Sequence, residues 1–144
     1  MEEQMNTVVI GIIIIMFLMD IGISMLNYRN RNAPLPDNVK YIYKEPDYQR
    51  WLGYFLENFR FGMILKCLNL LILSSTLLLG GFEKLESIST GWFQNEILQT
   101  LSFIGLYFMI YMILSLPFDY YKTFVIEEKY GFNKTTKKNF YYRQ

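Results

Sequence analysis

Three long apolar runs dominate the pattern of hydrophobic and polar positions along the chain. They cover residues 7–27, 61–82 and 97–118, and each matches the roughly 20 apolar residues that a helix needs to cross a bilayer. None of them shows the polar face that a water-soluble amphipathic helix presents at helical spacing. The pattern therefore predicts an all-α membrane protein with three transmembrane helices.

The polar segment between the first two runs predicts a further helix. Residues 33–38, APLPDN, break any helix, and Glu45-Pro46-Asp47 is typical of a helix start. The apolar positions that then recur at helical spacing are Tyr48, Trp51, Leu52, Phe55 and Phe59. Two interpretations are open: an interfacial amphipathic helix that buries Trp51 among the head groups, or a plain extension of the second transmembrane helix.

The distribution of Lys and Arg predicts the orientation of the chain in the membrane. There are none before the first run, six in the first loop, one in the second loop and six in the tail. Because basic residues favour the cytoplasmic side, we expect the N-terminus outside and the C-terminus in the cytoplasm. The N-terminal flank MEEQMN lacks the basic residues of a cleaved signal peptide, so the first helix is expected to be retained.

Two charged residues fall inside the apolar runs at matching depth. At 1.5 Å per residue, Asp20 lies ~9 Å and Lys66 ~7.5 Å from the cytoplasmic ends of their helices. An ion pair would offset part of the cost of inserting each charge, so the spacing predicts a pair between them. The alternative is that Lys66 extends to the interface while Asp20 faces water or another helix.

Composition excludes several kinds of catalytic site. The chain has no histidine, which removes most zinc sites and the Ser-His-Asp and Cys-His arrangements. Its one cysteine, Cys67, lies in an apolar run and permits no disulfide framework. A net charge of +1 gives no basic field for nucleic acid, so no nucleic-acid partner is expected.

The end of the third run continues into a polar and aromatic segment. A helix is expected to pass Pro117 with a kink and to reach Lys129, where Gly131 supplies a stop. Asn133, Thr135 or Thr136 can then cap a new helix, KKNFYYRQ. The sequence ends inside that helix, which predicts a truncated C-terminal helix and a chain that is part of something longer.

This exit, LPFDYYKTFVIEEKYGFNKTT at residues 116–136, resembles the sequence that follows the third membrane helix of the CAAX prenyl protease 1 family. We call it the signature segment. The stretch LPDNV and the tyrosines Tyr48 and Tyr54 in the first loop also resemble that family. The positions that match the pattern are Leu116, Pro117, Tyr121, Thr123, Phe124, Val125, Ile126, Glu127, Glu128, Lys129, Tyr130, Gly131, Phe132, Asn133 and Thr136.

The resemblance implies an integral-membrane zinc metallopeptidase with seven helices around a large chamber. Its zinc is held by an H-E-x-x-H helix and a later glutamate, and the glutamate between the histidines is the general base. That motif cannot occur in a chain without histidine, so no catalytic or metal residue is carried over, and this chain needs no cofactor of its own. The resemblance covers the family's N-terminal membrane part, without the catalytic zinc domain.

The resemblance also suggests a role for the signature segment. Glu127 and Glu128 are expected to pair with basic groups of the catalytic domain on the cytoplasmic side, while Phe124 and Phe132 pack beneath it. The alternative is a solvated charge run after a membrane helix.

Two functions are therefore open. The first is the non-catalytic membrane-chamber part of a zinc metalloendopeptidase, inactive alone, whose partners are the lipid bilayer, the catalytic domain, the remaining membrane helices and a peptide substrate. The second is a stand-alone three-helix scaffold or assembly partner. The high Ile, Asn, Lys and Tyr content suggests an AT-rich genome. We therefore expect a bacterial cytoplasmic membrane, with the endoplasmic reticulum as the alternative.

Overall fold

The computed structural model describes residues 2–32 and 45–142, and within those ranges it contains helices and turns but no strand. The helix break predicted at residues 33–38 and the motif LPDNV lie outside the described residues. The elements in chain order are α1 (Glu2–Arg29), a 3₁₀ turn (Asn30–Asn32), α2 (Glu45–Leu78), α3 (Gly81–Trp92), α4 (Glu96–Tyr121), a π-helical segment (Lys122–Glu127) and α5 (Lys137–Tyr142).

Three of these helices are long and apolar enough to cross a membrane, as the sequence predicts. The candidate spans are Asn6–Arg29, Pro46–Leu78 and Glu96–Glu127, and none of the residues in their most apolar stretches is buried against protein. A water-soluble bundle would have to cover this surface, because exposing long apolar faces to water is unfavourable. The all-α membrane class is therefore confirmed, and many of the apolar side chains of the described helices are exposed.

The segment before the second span belongs to α2 itself. α2 runs for 34 residues from Glu45 without a break, which is ~51 Å at 1.5 Å per residue. The hydrocarbon core of a bilayer is only about 30 Å thick. Residues 45–60, which we call the α2 extension, are thus a continuation of the transmembrane helix, the second of the two sequence interpretations.

The second span ends earlier than the apolar run predicts. α2 stops at Leu78, and Phe82 lies in α3. Gly80 has a φ of 68°, a left-handed conformation that ends a helix and that other residues adopt only at a cost. Apolar composition continues past this glycine, so hydropathy alone places the end of the helix too late.

The short helix α3 has no counterpart among the sequence predictions. It places Glu83 and Glu86 on one face and Leu85 and Ile88 on the other, and it packs along α4. Asn95 then caps α4, because its side-chain oxygen accepts hydrogen bonds from the backbone N–H groups of the first helical turn, 2.9 and 3.3 Å away. The turn between α3 and α4 is therefore short and defined.

The exit of α4 remains helical past its proline. Pro117 lies inside α4, and the helix continues through the π-helical segment to Lys129. Single π-helical turns within an α-helix occur frequently at functional sites because they widen the helix and redirect its side chains. α5 follows, capped by Thr136, whose hydroxyl accepts a hydrogen bond from the backbone N–H of Asn139 at 3.3 Å.

Candidate functional site

The signature segment ends its helix in a Schellman turn at Gly131. The N–H of Phe132 donates to the carbonyl of Glu127 at 2.8 Å, and the N–H of Gly131 donates to the carbonyl of Glu128 at 3.0 Å. Gly131 has the left-handed φ of 72° that this turn requires. The turn reverses the chain and directs the side chains on both sides of the glycine towards α2.

Aromatic rings from this turn pack on the α2 extension. Tyr54 lies between two of them, with ring centroids 5.9 Å from Tyr130 and 4.8 Å from Phe132. The ring of Tyr130 also crosses Gly53, where a Cβ atom would stand 2.9 Å from the Tyr130 ring. Gly53 therefore lets the two elements approach more closely than any other residue would allow.

An ion pair joins the same two elements. The Nζ of Lys129 lies 2.8 Å from Oε2 of Glu57, and both side chains remain accessible to solvent. The hydrogen bond that the Lys129 ammonium donates to this carboxylate raises the pKa of Lys129, so Lys129 is charged throughout the neutral range. Exposed ion pairs contribute little to stability. We therefore assign most of the free energy that holds the signature segment on α2 to the aromatic rings, and we infer that the ion pair fixes where along α2 the segment binds.

We call this assembly of Gly53, Tyr54, Glu57, Lys129, Tyr130 and Phe132 the signature contact. Lys129, Gly131 and Phe132 were among the site residues predicted from sequence, whereas Gly53 and Glu57 were missed. Glu57 lies on the polar side of an amphipathic helix, and the helical spacing of a charged residue does not indicate which residue it pairs with. Tyr54 was noticed only through the family resemblance.

The two phenylalanines of the predicted docking surface contact this chain's own rings. Phe124 lies 4.7 Å from Tyr120 and 5.4 Å from Phe140 of α5, measured between ring centroids. Phe132 packs on Tyr54, and the guanidinium of Arg50 lies 5.7 Å above it. Phe124 thus joins the exit of α4 to α5, and Phe132 joins it to α2. Ile126, between them in sequence, is fully buried.

The two carboxylates of the signature segment lack an ionic partner. Within the described ranges, no lysine or arginine stands at ion-pair distance from Glu127 or Glu128. Glu128 accepts one hydrogen bond, from the side-chain amide of Asn133 at 3.4 Å. Its side chain is exposed and that of Glu127 half-buried, so both remain available to a further partner.

The remaining signature residues lie along the helix between these contacts. Tyr121 packs on Phe61 of α2, with ring centroids 5.1 Å apart. Pro117 is exposed and Thr123 is half-buried. Of the predicted residues, Tyr121, Lys129 and Phe132 thus contact α2. Phe124 instead contacts Tyr120 and α5, and Asn133 contacts Glu128.

The two charges inside the membrane lie next to each other. Nζ of Lys66 is 2.7 Å from Oδ1 of Asp20, and the ammonium also donates to the hydroxyl of Ser24 at 2.6 Å. Ser24 in turn donates to the backbone carbonyl of Asp20 at 2.8 Å. Ser24 was not predicted, although its spacing of one helical turn from Asp20 places both on the same face of α1.

The described residues do not fit a zinc site. They contain no group of three or more His, Cys, Asp or Glu side chains able to hold a metal ion, whereas a catalytic zinc needs three protein ligands. The only cysteine, Cys67, is isolated on α2. No catalytic step can be assigned to this stretch of chain through a metal.

Comparison with known proteins agrees with the resemblance. The family model described as CAAX prenyl protease N-terminal, five membrane helices, matches residues 24–144. A CAAX prenyl protease 1 homolog from Caenorhabditis elegans is 33% identical over 84% of this chain and 27% of its own length. The homolog from Arabidopsis thaliana is 28% identical over 89% of this chain and 32% of its own length.

A shorter match concerns the probable CAAX prenyl protease 1 of Schizosaccharomyces pombe, which is 64% identical over 28 residues. No solved structure matches the chain. The chain spans about a third or less of the length of the nematode and plant relatives. Because the family model covers most of its residues, the chain belongs to the CAAX prenyl protease N-terminal family.

Proposed function

We propose that this chain is the non-catalytic membrane part of a CAAX-protease-type zinc metalloendopeptidase. Its three transmembrane helices form part of the wall of a chamber that receives a peptide substrate. The zinc and its ligands belong to a catalytic domain that these 144 residues do not contain, because the H-E-x-x-H motif needs histidine and the chain has none. The names of the curated relatives suggest that the peptide carries a prenyl group.

Within this proposal the signature segment has two functions. Lys129, Tyr130 and Phe132 attach it to the α2 extension, and Glu127 and Glu128 are presented to the catalytic domain. The observation that carries the docking role is the contrast between them: the lysine is paired at 2.8 Å, while the two neighbouring carboxylates lack an ionic partner within the described residues. Basic groups on the catalytic domain would complete those pairs.

The proposed orientation follows from the positive-inside rule, with the N-terminus outside and the signature segment in the cytoplasm. In that orientation the signature contact and the predicted site of the catalytic domain lie on the same side of the membrane. The host membrane remains a prediction, the bacterial cytoplasmic membrane or alternatively the endoplasmic reticulum.

The experiment compares protease activity in the full-length protein and in the isolated chain. We expect the isolated chain to cleave no peptide and Glu127→Gln with Glu128→Gln to lower full-length activity about tenfold, equivalent to ~1.4 kcal/mol. The matched control is Glu83→Gln with Glu86→Gln on α3, which removes the same charge at the other end of the molecule and should leave activity unchanged.

Three outcomes would contradict the proposal. Cleavage by the isolated chain would show that it is catalytic itself. Full activity and normal stability in the Glu127 and Glu128 double variant would remove the docking role. A natural reading frame that ends at Gln144 without a zinc motif elsewhere would instead favour the stand-alone scaffold.

A further inference from the structure

The π-helical segment lies between two contacts that α4 and its exit make with α2. Before the segment, the ring of Tyr121 packs on Phe61, with ring centroids 5.1 Å apart. After it, Nζ of Lys129 lies 2.8 Å from Oε2 of Glu57. The segment covers Lys122–Glu127, so all of its residues fall between the two contacts. The residues on both sides of the segment therefore face α2.

A regular α-helix does not place both of these contacts on one face. Lys129 follows Tyr121 by eight residues, and at about 100° per residue this is two full turns plus about 80°. A π-helical turn joins residue i to residue i+5 by its hydrogen bond, so it takes up about one residue more than an α-helical turn. Eight residues that include one π-helical turn therefore rotate like seven, about 20° short of two full turns. The π-helical turn thus returns Lys129 to the face that carries Tyr121.

The helix α5 contacts the exit of α4 at the same level. The ring of Phe124, within the π-helical segment, lies 5.4 Å from the ring of Phe140, measured between centroids. Tyr120, one turn earlier, lies 5.9 Å from the same ring. Ile126, near the end of the segment, is fully buried. Contacts with α2 and α5 thus fix the exit helix before, within and after the segment.

The alternative conformation of the segment is a regular α-helix. Well under 1% of residues in globular proteins are π-helical, so a helix without outside contacts adopts the α form. The π form therefore depends on the packing that surrounds it. Conversion to the α form would rotate Lys129 by about 100° relative to Tyr121 and turn it away from Glu57.

We propose that the π-helical segment is a conformational device that couples the signature contact to the packing of α4 on α2. In the π form, Tyr121 and Lys129 both face α2. In the α form, Lys129 turns away and the signature contact opens. Because Glu127 and Glu128 directly precede Lys129, the same rotation redirects both carboxylates. The inference goes beyond the proposed function and holds whether or not a catalytic domain binds these carboxylates.

Variants that change the number of residues in the segment test the proposal. Deletion of Val125, which is exposed, makes Lys129 the seventh residue after Tyr121, so that a regular α-helix keeps both on one face. Insertion of one alanine after Val125 makes Lys129 the ninth residue, about 180° from Tyr121 in an α-helix. Val125→Ala keeps the number of residues and is the matched control. We expect the deletion and Val125→Ala to retain the signature contact and the insertion to open it.

Pulsed electron paramagnetic resonance in detergent measures whether the contact is present. Spin labels are attached to Arg60→Cys on α2 and to Lys134→Cys beyond the signature turn, in protein that also carries Cys67→Ser. Arg60 and Lys134 are exposed and lie outside the signature contact. We expect the same distance between the labels in the unchanged protein, the deletion variant and Val125→Ala, and a longer and broader distribution in the insertion variant. Circular dichroism and size-exclusion chromatography check that each variant folds.

Limited proteolysis tests the conversion between the two forms. In the deletion variant a regular α-helix already satisfies both contacts with α2, so the signature contact no longer competes with α-helix formation. We expect trypsin to cleave after Lys129 several-fold more slowly in the deletion variant than in the unchanged protein. Val125→Ala should match the unchanged protein, and the insertion variant should be cleaved faster.

Three results would overturn the proposal. An insertion variant with the label distance and cleavage rate of the unchanged protein would mean that the segment does not set the direction of Lys129. A folded deletion variant with a longer label distance would mean that the contact needs the π-helical turn itself. Equal cleavage rates in the deletion variant and the unchanged protein would mean that conversion of the segment does not open the contact. If the deletion variant does not fold, the comparison of the insertion variant with Val125→Ala decides.

Discussion

At the scale of single residues, one glycine decides how closely the signature segment approaches α2. Glycine in a helix interior costs roughly 0.5–1 kcal/mol relative to alanine, yet Gly53 lies in the middle of the α2 extension. The ring of Tyr130 occupies the space that a side chain would take. Glycine at this position therefore lowers the stability of the helix, and it permits an aromatic contact between two elements that are far apart in sequence.

We expect Gly53→Leu to displace Tyr130 and destabilise the signature contact by about 1–3 kcal/mol, the usual cost of overpacking a close contact. The measurement is the rate of tryptic cleavage at Lys129 and Lys134, which should increase as the segment detaches. Gly62→Leu on the same helix is the matched control, since nothing lies within 4 Å of its added Cβ. Equal cleavage rates in both variants would show that the close approach at Gly53 does not hold the segment.

At the scale of elements, α1 and α2 meet through a polar cluster inside the apolar part of the membrane. Lys66 binds both Asp20 and Ser24, and the pair joins two helices that otherwise present apolar side chains to lipid. A lone charge in the centre of a helix costs roughly 2.5–3.5 kcal/mol on insertion scales. Pairing offsets part of that cost only while the helices stay together.

Charge reversal distinguishes a required pair from two tolerated charges. We expect Asp20→Lys and Lys66→Asp to lower thermal stability singly, by up to about 3 kcal/mol each, because each leaves two like charges facing each other. The double variant should recover a substantial part of the loss, measured by thermal unfolding in detergent. A double variant no more stable than the singles would mean that the attraction between these side chains does not stabilise the helix pair.

At the scale of the whole molecule, the two ends of the structure differ in chemistry. The end that holds α3 carries an acidic face and one lysine, while the end that holds the α2 extension and the signature segment carries most of the basic residues. The positive-inside rule predicts the orientation of the chain from this difference in Lys and Arg content.

Labelling of single cysteines tests the proposed orientation. After Cys67→Ser, we expect Asn6→Cys to react with an impermeant maleimide from outside intact cells or vesicles, and Lys138→Cys to react only after permeabilisation. The physical reason is the excess of Lys and Arg in the first loop and the tail, which holds those segments in the cytoplasm. Reaction of Lys138→Cys without permeabilisation would place the signature segment on the wrong side for a cytoplasmic catalytic domain.

The sequence by itself determined the membrane class, three spans and the exit through Pro117 to Gly131. These features depend on local properties, namely apolar length, helix stops and caps, which act within one or two helical turns. It also suggested the neighbours Asp20 and Lys66, because two charges at the same depth in lipid have few other partners. It missed α3, since twelve residues with mixed polarity between two spans are also typical of a loop.

Only the tertiary structure decided which surfaces meet. The partner of Lys129 is Glu57, 72 residues away in sequence, and no periodicity along α2 marks that glutamate among its other charges. The space for Tyr130 over Gly53 likewise exists only once the helices pack at a particular angle and distance. Such contacts depend on non-local geometry, which a pattern along one chain does not encode.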